Sequence, residues 1–318
     1  MNEDTTDRIK GAFLGAVCGD ALGGPLEFLA EDLTPALLND AMRMKGGGEL
    51  ELGPAQPTDD SELAFALLRA LTKHDPKKAF PERRVLAGYR RWIASDLFDV
   101  GDTCRAAFAM GRPNPDSQSN GALMRVVPVP IWAYGCDDDR IAEHARRDAA
   151  TSHPHRNCQD CNAIYCVALA YLIKHPGEHA ACFGHVQSYV YSRDISADVR
   201  RWFEESKRGV RDMEFGRHIG WVRWPFTLAM YHLRKGTSYV KAAKSVLEML
   251  GDVDTNAAIV LGLVGCIHGA SGIPAHMKNS VLAFDCTKPG EKGHVRPLIY
   301  QTKFNYDALC RYLEGERS

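Results

Sequence analysis

Apolar residues recur at helical spacing along most of the chain, and strand-like alternation is scarce. Ile9, Phe13, Ala16 and Val17 predict a helix over residues 7–22. On the same stretch Gly11, Gly15, Gly19 and Gly23 repeat every four residues, a stripe without side chains. A glycine inside a helix costs roughly 1 kcal/mol against alanine, so a run of them implies close approach of another backbone. The partner expected is the helix that follows Asp254, which has its own small stripe at Ala258, Gly262, Gly265 and Gly269.

Further along, residues 31–57 show weak periodicity, and Gly46, Gly47, Gly48, Pro54 and Pro57 mark a loop. After Thr58 the spacing of Leu63, Ala66, Leu67 and Leu71 predicts a helix, and Val85, Tyr89 and Trp92 predict another over 81–95. Asp99-Val100-Gly101-Asp102-Thr103 reads as a capped turn into a helix over 104–110. Residues 112–120 are polar and Pro-rich, hence loop, and 121–133 are apolar but broken by Pro128 and Pro130. Helical patterns follow over 138–150, 158–174, 177–190, 196–206, 225–233, 239–250 and 306–313, and also after Asp254. Residues 207–220 are charged and dotted with glycine, as in a connection. With no repeat or interdomain linker, the pattern predicts an all-α chain folded as a single domain over 1–318.

Composition adds exclusions. A 45% hydrophobic and 25% charged chain of 318 residues can bury a sizeable core. A formal net charge of −1 gives no global grip on nucleic acid or on an acidic membrane surface. No apolar run reaches the length of a membrane span. The acidic, polar start Met1-Asn2-Glu3-Asp4 is unlike a secretory signal, and the ten cysteines are scattered. Together they predict a cytoplasmic protein with reduced thiols.

The chemistry concentrates in two short clusters. Gly251-Asp252-Val253-Asp254-Thr255 enters an apolar helix, and Thr58-Asp59-Asp60 enters another. On residue types alone each reads as a helix cap with an accessory acid, since acids suit a helix N-terminus. Together they offer four carboxylates and two hydroxyls, all hard oxygen donors. If the clusters meet, four negative charges in one pocket could not stay ionised without cations. The donors select magnesium or manganese, and calcium less well, over zinc or copper. Separately, His153, His155, Cys158 and Cys161 have the donors for zinc. But Cys158 and Cys161 start an apolar helix, where cysteine acts as a small hydrophobe, and that reading is preferred.

In order, the chain shows Gly15-x3-Gly19-Asp20-Ala21-Leu22-Gly23 with Glu27, then Thr58-Asp59-Asp60 and Ser119-Asn120-Gly121-Ala122-Leu123-Met124-Arg125. Ser152-His153, Gly251 to Asn256 and Gly272-Ile273-Pro274 follow. This series resembles the ADP-ribosylglycohydrolase family over most of residues 8–275. Each motif is weak alone, and the specificity lies in six of them in order. The resemblance implies an all-α domain with a central two-magnesium site at converging helix ends. Thr58, Asp59, Asp60, Asp252, Asp254 and Thr255 would be the ligands, with Asp254 bridging. It further implies that Glu27 handles a water or gates the substrate, and that Asp99 lies near the scissile bond. Asn120, Gly121 and Ala122 would offer backbone donors to a diphosphate, with His153 near the ligand. Arg125 reads better as a buried ion-pair partner than as a diphosphate ligand. Trp221 and Trp224 fall where an aromatic could stack on adenine, although packing is the commoner fate of a tryptophan. One departure stands out: the family often shows two glycines before the first acid of the late motif, and this chain has Leu250-Gly251.

The activity so implied is removal of ADP-ribose from modified protein side chains, with the arginine linkage favoured over the serine linkage. The partner would be an ADP-ribosylated protein, and the sequence does not fix the oligomeric state, a monomer being favoured. Two rivals stand beside it. One is a member of the family retained for binding or structure, with catalysis lost. The other is a two-metal hydrolase of a different nucleotide or glycosidic substrate. The complete set of six ligand positions with Glu27 argues against lost catalysis.

Overall fold

A computed structural model describes residues 2–29, 32–209 and 218–315. In chain order the helices are α1 (Glu3–Gly23), α2 (Pro35–Met42), α3 (Asp59–Leu71), α4 (Glu82–Ile93) and α5 (Asp102–Met110). Then come α6 (Pro128–Ala133), α7 (Asp138–Ala150), α8 (Arg156–Lys174), α9 (His179–Ser192) and α10 (Ala197–Arg208). The last five are α11 (Arg223–Lys235), α12 (Tyr239–Leu247), α13 (Val253–His268), α14 (Ala275–Ala283) and α15 (Thr302–Leu313). No strand forms among the described residues; extended pairing is limited to single bridges at Gly47–Leu52 and Ser119–Trp221. None of these helices is long and apolar enough to cross a membrane.

The glycine stripe is the axis of the fold. α1 and α13 lie antiparallel, and nearly every residue of α13 is buried. A Cβ added at Gly15 would fall on the Leu261 carbonyl oxygen, and one at Gly19 on that of Ala257. Gly11 faces the Gly265 carbonyl in the same way, and Gly23 faces the Asp254 backbone. Only residues without side chains let the two helices come this close. The expected partner is therefore the observed one, although Ala257 and Leu261 make contacts that the sequence reading gave to Ala258 and Gly262. Gly262 instead leaves room for Tyr165, whose hydroxyl donates to the Ile259 carbonyl at 2.7 Å.

Around this pair pack α3, α8, α11, α12 and α14, so the chain forms one domain about a single core. Three helices went unpredicted. α2 is short, yet Thr34 caps it through the Leu37 N–H and Pro35 opens it, a start signal lying inside the stretch read as loop. α14 buries only Met277 and Val281, too few apolar positions to set a period. Pro128 does not break the 121–133 segment but starts α6, in the first turn where its missing N–H is harmless. The expected connection over 207–220 lies largely outside the described residues.

α3 is held from its flank. The buried Glu62 carboxylate accepts from Arg296 Nε and Nη2, both at 2.8 Å, and from Trp92 Nε1 at 2.7 Å. This pair ties the segment after α14 to the helix that presents Asp59 and Asp60.

Candidate metal centre

Thr58 and Asp252 occupy the N-cap positions of α3 and α13, but neither side chain caps its own helix. Thr58 Oγ1 lies 2.9 Å from Asp20 Oδ1 and 3.4 Å from Asp60 Oδ2. Asp252 Oδ2 accepts from Asn120 Nδ2 at 2.7 Å. The simple cap reading of the two clusters thus does not describe these side chains.

Capping of α3 is delegated to Asp20. Its carboxylate, wholly buried on α1, accepts the N–H of Thr58 at 2.9 Å and of Ser61 at 3.0 Å. It also takes the hydroxyls of Thr58 at 2.9 Å and Ser61 at 2.5 Å. Asp20 therefore fixes where the first turn of α3 sits, and with it Asp59 and Asp60. The sequence reading quoted Asp20 in a motif and gave it no role. The signal was available: an aspartate in the middle of an apolar, glycine-striped helix must find buried donors.

The helix starts converge. Thr255 Oγ1 donates to Asp60 Oδ2 at 3.3 Å, linking two clusters almost two hundred positions apart. Carboxylate oxygens of Glu27, Asp99 and Asp254 all lie within 4.8 Å of one another. Glu27 follows a single 3₁₀ turn at Gly24–Leu26 that continues from α1, and Asp99 comes from the loop before α5. Glu27, Asp59, Asp99, Asp252, Asp254 and Thr255 line one cavity of roughly 400 Å³. Thr58 and Asp60 do not line it and are buried.

The electrostatics of this group are unfavourable as it stands. Burial, then the charges of Asp99 and Asp252, push Glu27 up to about 8. Asp59, Asp60 and Asp254 rise well above the ordinary carboxylate range, first from burial and then from their acidic neighbours. Asp99 and Asp252 rise too, with burial the leading cause. Glu27 Oε2 and Asp60 Oδ1 are buried with no hydrogen-bond partner. Unpartnered buried oxygens among mutually repelling acids are the environment a hard cation would complete, and the oxygen-only donor set fits one.

Around the acids stand the remaining predicted residues. Ser119, Asn120, Gly121 and His153 line the cavity; Ala122 is buried and does not. The Asn120 N–H is engaged by the Gly220 carbonyl at 2.9 Å. His153 is held between Ser119 Oγ at 2.7 Å and Ser152 Oγ at 2.8 Å, and burial pushes it down to about 3. It is therefore a neutral imidazole of fixed orientation. Arg125 pairs with Asp148 at 3.2 Å, both wholly buried, and donates to the Gly121 carbonyl at 2.9 Å. Its ion pair sits under the loop that shapes the cavity, in agreement with the buried-partner reading.

The zinc quartet does not assemble. His153 is engaged as above, His155 Nδ1 accepts the Asn157 N–H, and Cys158 donates toward the carbonyls of Ser117 and Ser119. Cys161 is fully buried in α8. Trp221 packs edge-on against Trp202 and Trp224, and borders a second cavity of roughly 630 Å³ that shares Ser119 and Gly220 with the first. Trp224 is buried and donates to the His218 carbonyl. Phe28 is a residue the sequence reading missed: half exposed, with φ of 58°, it stands at the cavity rim beside Glu27. The departure before Asp252 has a structural form. Leu250 takes φ of 55° and Gly251 takes 81°, so a leucine occupies the left-handed region where a glycine would be unstrained.

A family model described as ADP-ribosylglycohydrolase matches residues 1–296. The chain is similar to the ADP-ribosyl-dinitrogen reductase glycohydrolase of Rhodospirillum rubrum, 26% identical over 85% of this chain and 88% of that protein. It is also similar to an ADP-ribosylarginine hydrolase of Serratia proteamaculans, 25% identical over 85% of this chain and 74% of the relative. A solved structure titled ADP-ribosylglycohydrolase-related protein complex superposes with a TM-score of 0.74 at 23% identity. That superposition covers 98% of this chain and 99% of the other, and shows the same fold.

Proposed function

Because the chain belongs to the ADP-ribosylglycohydrolase family, we propose that it hydrolyses the glycosidic bond between ADP-ribose and an arginine side chain of a modified protein, using magnesium. The observation that carries this reading is the meeting of two helix starts whose cap residues do not cap. They gather Asp59, Asp60, Asp252, Asp254 and Thr255 beside Glu27 and Asp99. A relative named for ADP-ribosylarginine supports the arginine linkage. A relative from Gallus gallus, 22% identical, is named an ADP-ribosylhydrolase without a linkage.

Thr58, Asp59, Asp60, Asp252, Asp254 and Thr255 would hold two divalent ions. Bound there, the ions supply positive charge that lets the carboxylates ionise and that positions sugar hydroxyls and a water. The protein's own part is mostly placement. Asp20 sets the start of α3, and Asn120 orients the Asp252 carboxylate. Glu27, whose Oε2 is buried without a hydrogen-bond partner beside Asp99 and Asp254, would take the proton of the attacking water once its carboxylate is ionised. The water oxygen bonds to C1″, and the C1″–N electron pair leaves with the guanidine. That transition state is oxocarbenium-like, as in other glycoside cleavages. The leaving group is cationic beforehand and needs little general-acid help. Asp99 would hold that guanidinium at the rim, and neutral His153 would keep Ser119 and its loop in place.

The test is release of free ADP-ribose from an arginine-ADP-ribosylated protein, with magnesium and with chelator, beside a serine-linked substrate. Magnesium-dependent release from the arginine substrate is expected. Absence of metal-dependent release on every linkage would overturn the enzyme reading. Binding of ADP-ribose without release would identify a member kept for binding.

A further inference from the structure

The far end of α3 faces a third cavity, unrelated to the acids. It measures roughly 370 Å³ and lies between α3, α4 and α15. Arg69 stands about ten residues along α3 from Asp59, roughly 15 Å at the helical rise.

Five cationic side chains line this groove: Arg69, Lys73, Arg84, Arg91 and Arg311. No carboxylate of the described residues lines it. Two acids near it in sequence are engaged elsewhere, Glu82 with Arg147 and Asp307 with Lys303, each within 3 Å. The helical spacing explains the concentration. Arg84, Gly88 and Arg91 share one face of α4 while Val85, Tyr89 and Trp92 are buried on the other. Arg69 and Lys73 are one turn apart at the end of α3.

Arg69 is fixed from behind. Its Nη1 donates to the Ile299 carbonyl and to Asn305 Oδ1, both at 2.5 Å, and its guanidinium lies over the Tyr300 ring. Burial in the first place, with the Arg91 charge acting in the same direction, lowers it to about 10. Ile299, Asn305 and Tyr300 hold Arg69 in place at the groove, and among the described residues no ion pair joins it to a carboxylate. The floor is built from Ala66, Ala70, Gly88 and Ala308, so small residues leave the groove open. An added Cβ at Gly88 would meet nothing closer than 3.5 Å. Phe304 and Tyr312 also line the groove.

We infer that this groove binds a nucleoside di- or triphosphate, with the phosphates among the arginines and the base against Phe304 and Tyr312. One-sign charge in a walled cleft concentrates anions, and guanidinium pairs with phosphate oxygens in a two-point fork. The cleft is too large and too charged for one inorganic phosphate, and the two aromatic residues in its lining suit a flat base. Its volume falls in the range of small-molecule sites. The site is separate from the metal centre and stands whether or not the proposed hydrolysis does.

Isothermal titration calorimetry on the full chain, in EDTA and low salt, tests it with ATP, inorganic tripolyphosphate, adenosine and a short single-stranded RNA. Chelator removes any route through a metal and leaves the acidic centre repulsive to phosphate. ATP is expected to bind more tightly than tripolyphosphate, and adenosine not to bind. Arg84→Glu together with Arg91→Glu, both exposed, should weaken ATP by at least about tenfold, the loss of one charge-assisted contact or more. The thermal midpoint of that variant without ligand should match the parent. Lys241→Glu with Lys244→Glu, which removes the same charge on α12, should leave binding within about twofold of the parent. No binding of either polyphosphate, or equal loss in both double variants, would overturn the site. ATP binding no tighter than tripolyphosphate would overturn the nucleoside part. Binding of the RNA alone would replace the proposal with a nucleic-acid surface.

Discussion

Gly15→Ala makes the close contact of α1 and α13 measurable. Alanine is the better helix former, and at a tolerant site the exchange stabilises by roughly 1 kcal/mol. At Gly15 the new Cβ overlaps the Leu261 carbonyl oxygen, with Gly265 Cα at 3.1 Å and Leu261 C at 3.2 Å. All three are backbone atoms inside a helix and cannot rotate away, so the helices must move apart. Overpacking of this kind costs typically 1–3 kcal/mol, and more where the obstacle is backbone. The net expectation is a loss of about 2 kcal/mol or more, against a gain at Gly88→Ala, where the nearest atom is 3.5 Å away. Urea unfolding followed by circular dichroism, with m-values compared, reads both. Gly23→Ala adds a second readout, because its Cβ falls on the Asp254 backbone. It should reduce magnesium-induced stabilisation more than Gly15→Ala does for the same loss of stability. A Gly15→Ala protein as stable as Gly88→Ala would refute the reasoning, since the helices would then separate at no cost.

Other outcomes can be checked alongside. Asp254→Ala should abolish ADP-ribose release while the metal-free protein melts at or above the parent's temperature, because removing one buried acid relieves repulsion; magnesium should no longer raise that temperature. Leu250→Gly should stabilise by about 1 kcal/mol in chemical denaturation, since it relieves a left-handed leucine beside Gly251. His153 and His232 are lowered by burial to about 3 and about 4, so the unfolded chain takes up protons that the native one refuses. Their stabilising contribution is complete above about pH 6.5 and is lost as pH falls toward those values, at up to about 1.4 kcal/mol per pH unit for each group. In denaturant titrations from pH 7 to 4, His232→Gln should flatten that slope, and an unchanged slope would place the acid sensitivity elsewhere.

The helical architecture was legible because apolar periodicity and start signals agree over long stretches, and the glycine stripe announced its own partner. Where periodicity was thin, as in α2 and α14, burial of only two residues each left nothing to count. The proposed ligand types were legible as clusters of hard donors. Their meeting was not, since no local rule says that Thr255 will reach Asp60. Asp20 was missed for a related reason: its task is to serve another helix's amides, and that need is visible only once α3 is placed. Phe28 was hidden because its backbone conformation, not its type, puts it at the rim. The sequence reading placed Asn120, Gly121 and Ala122 alike as backbone donors. The fold separates them by turning Ala122 inward and using the Asn120 amide on Gly220.

The pairing of α1 with α13 also bears on how the chain is made. The first helix finds its backbone partner only after some two hundred and thirty intervening residues, a contact of very large sequence separation. Such pairings are reached late, because loop closure must be met before the contact rewards it. During synthesis α1 would leave the ribosome with its glycine face bare and wait for residues 253–268. The acids of α3 would likewise have no counterpart until Thr255 arrived. Cation binding at the proposed centre would then be available only once residues 253–268 have been made, and a divalent ion would act as a check on the pairing of α1 with α13.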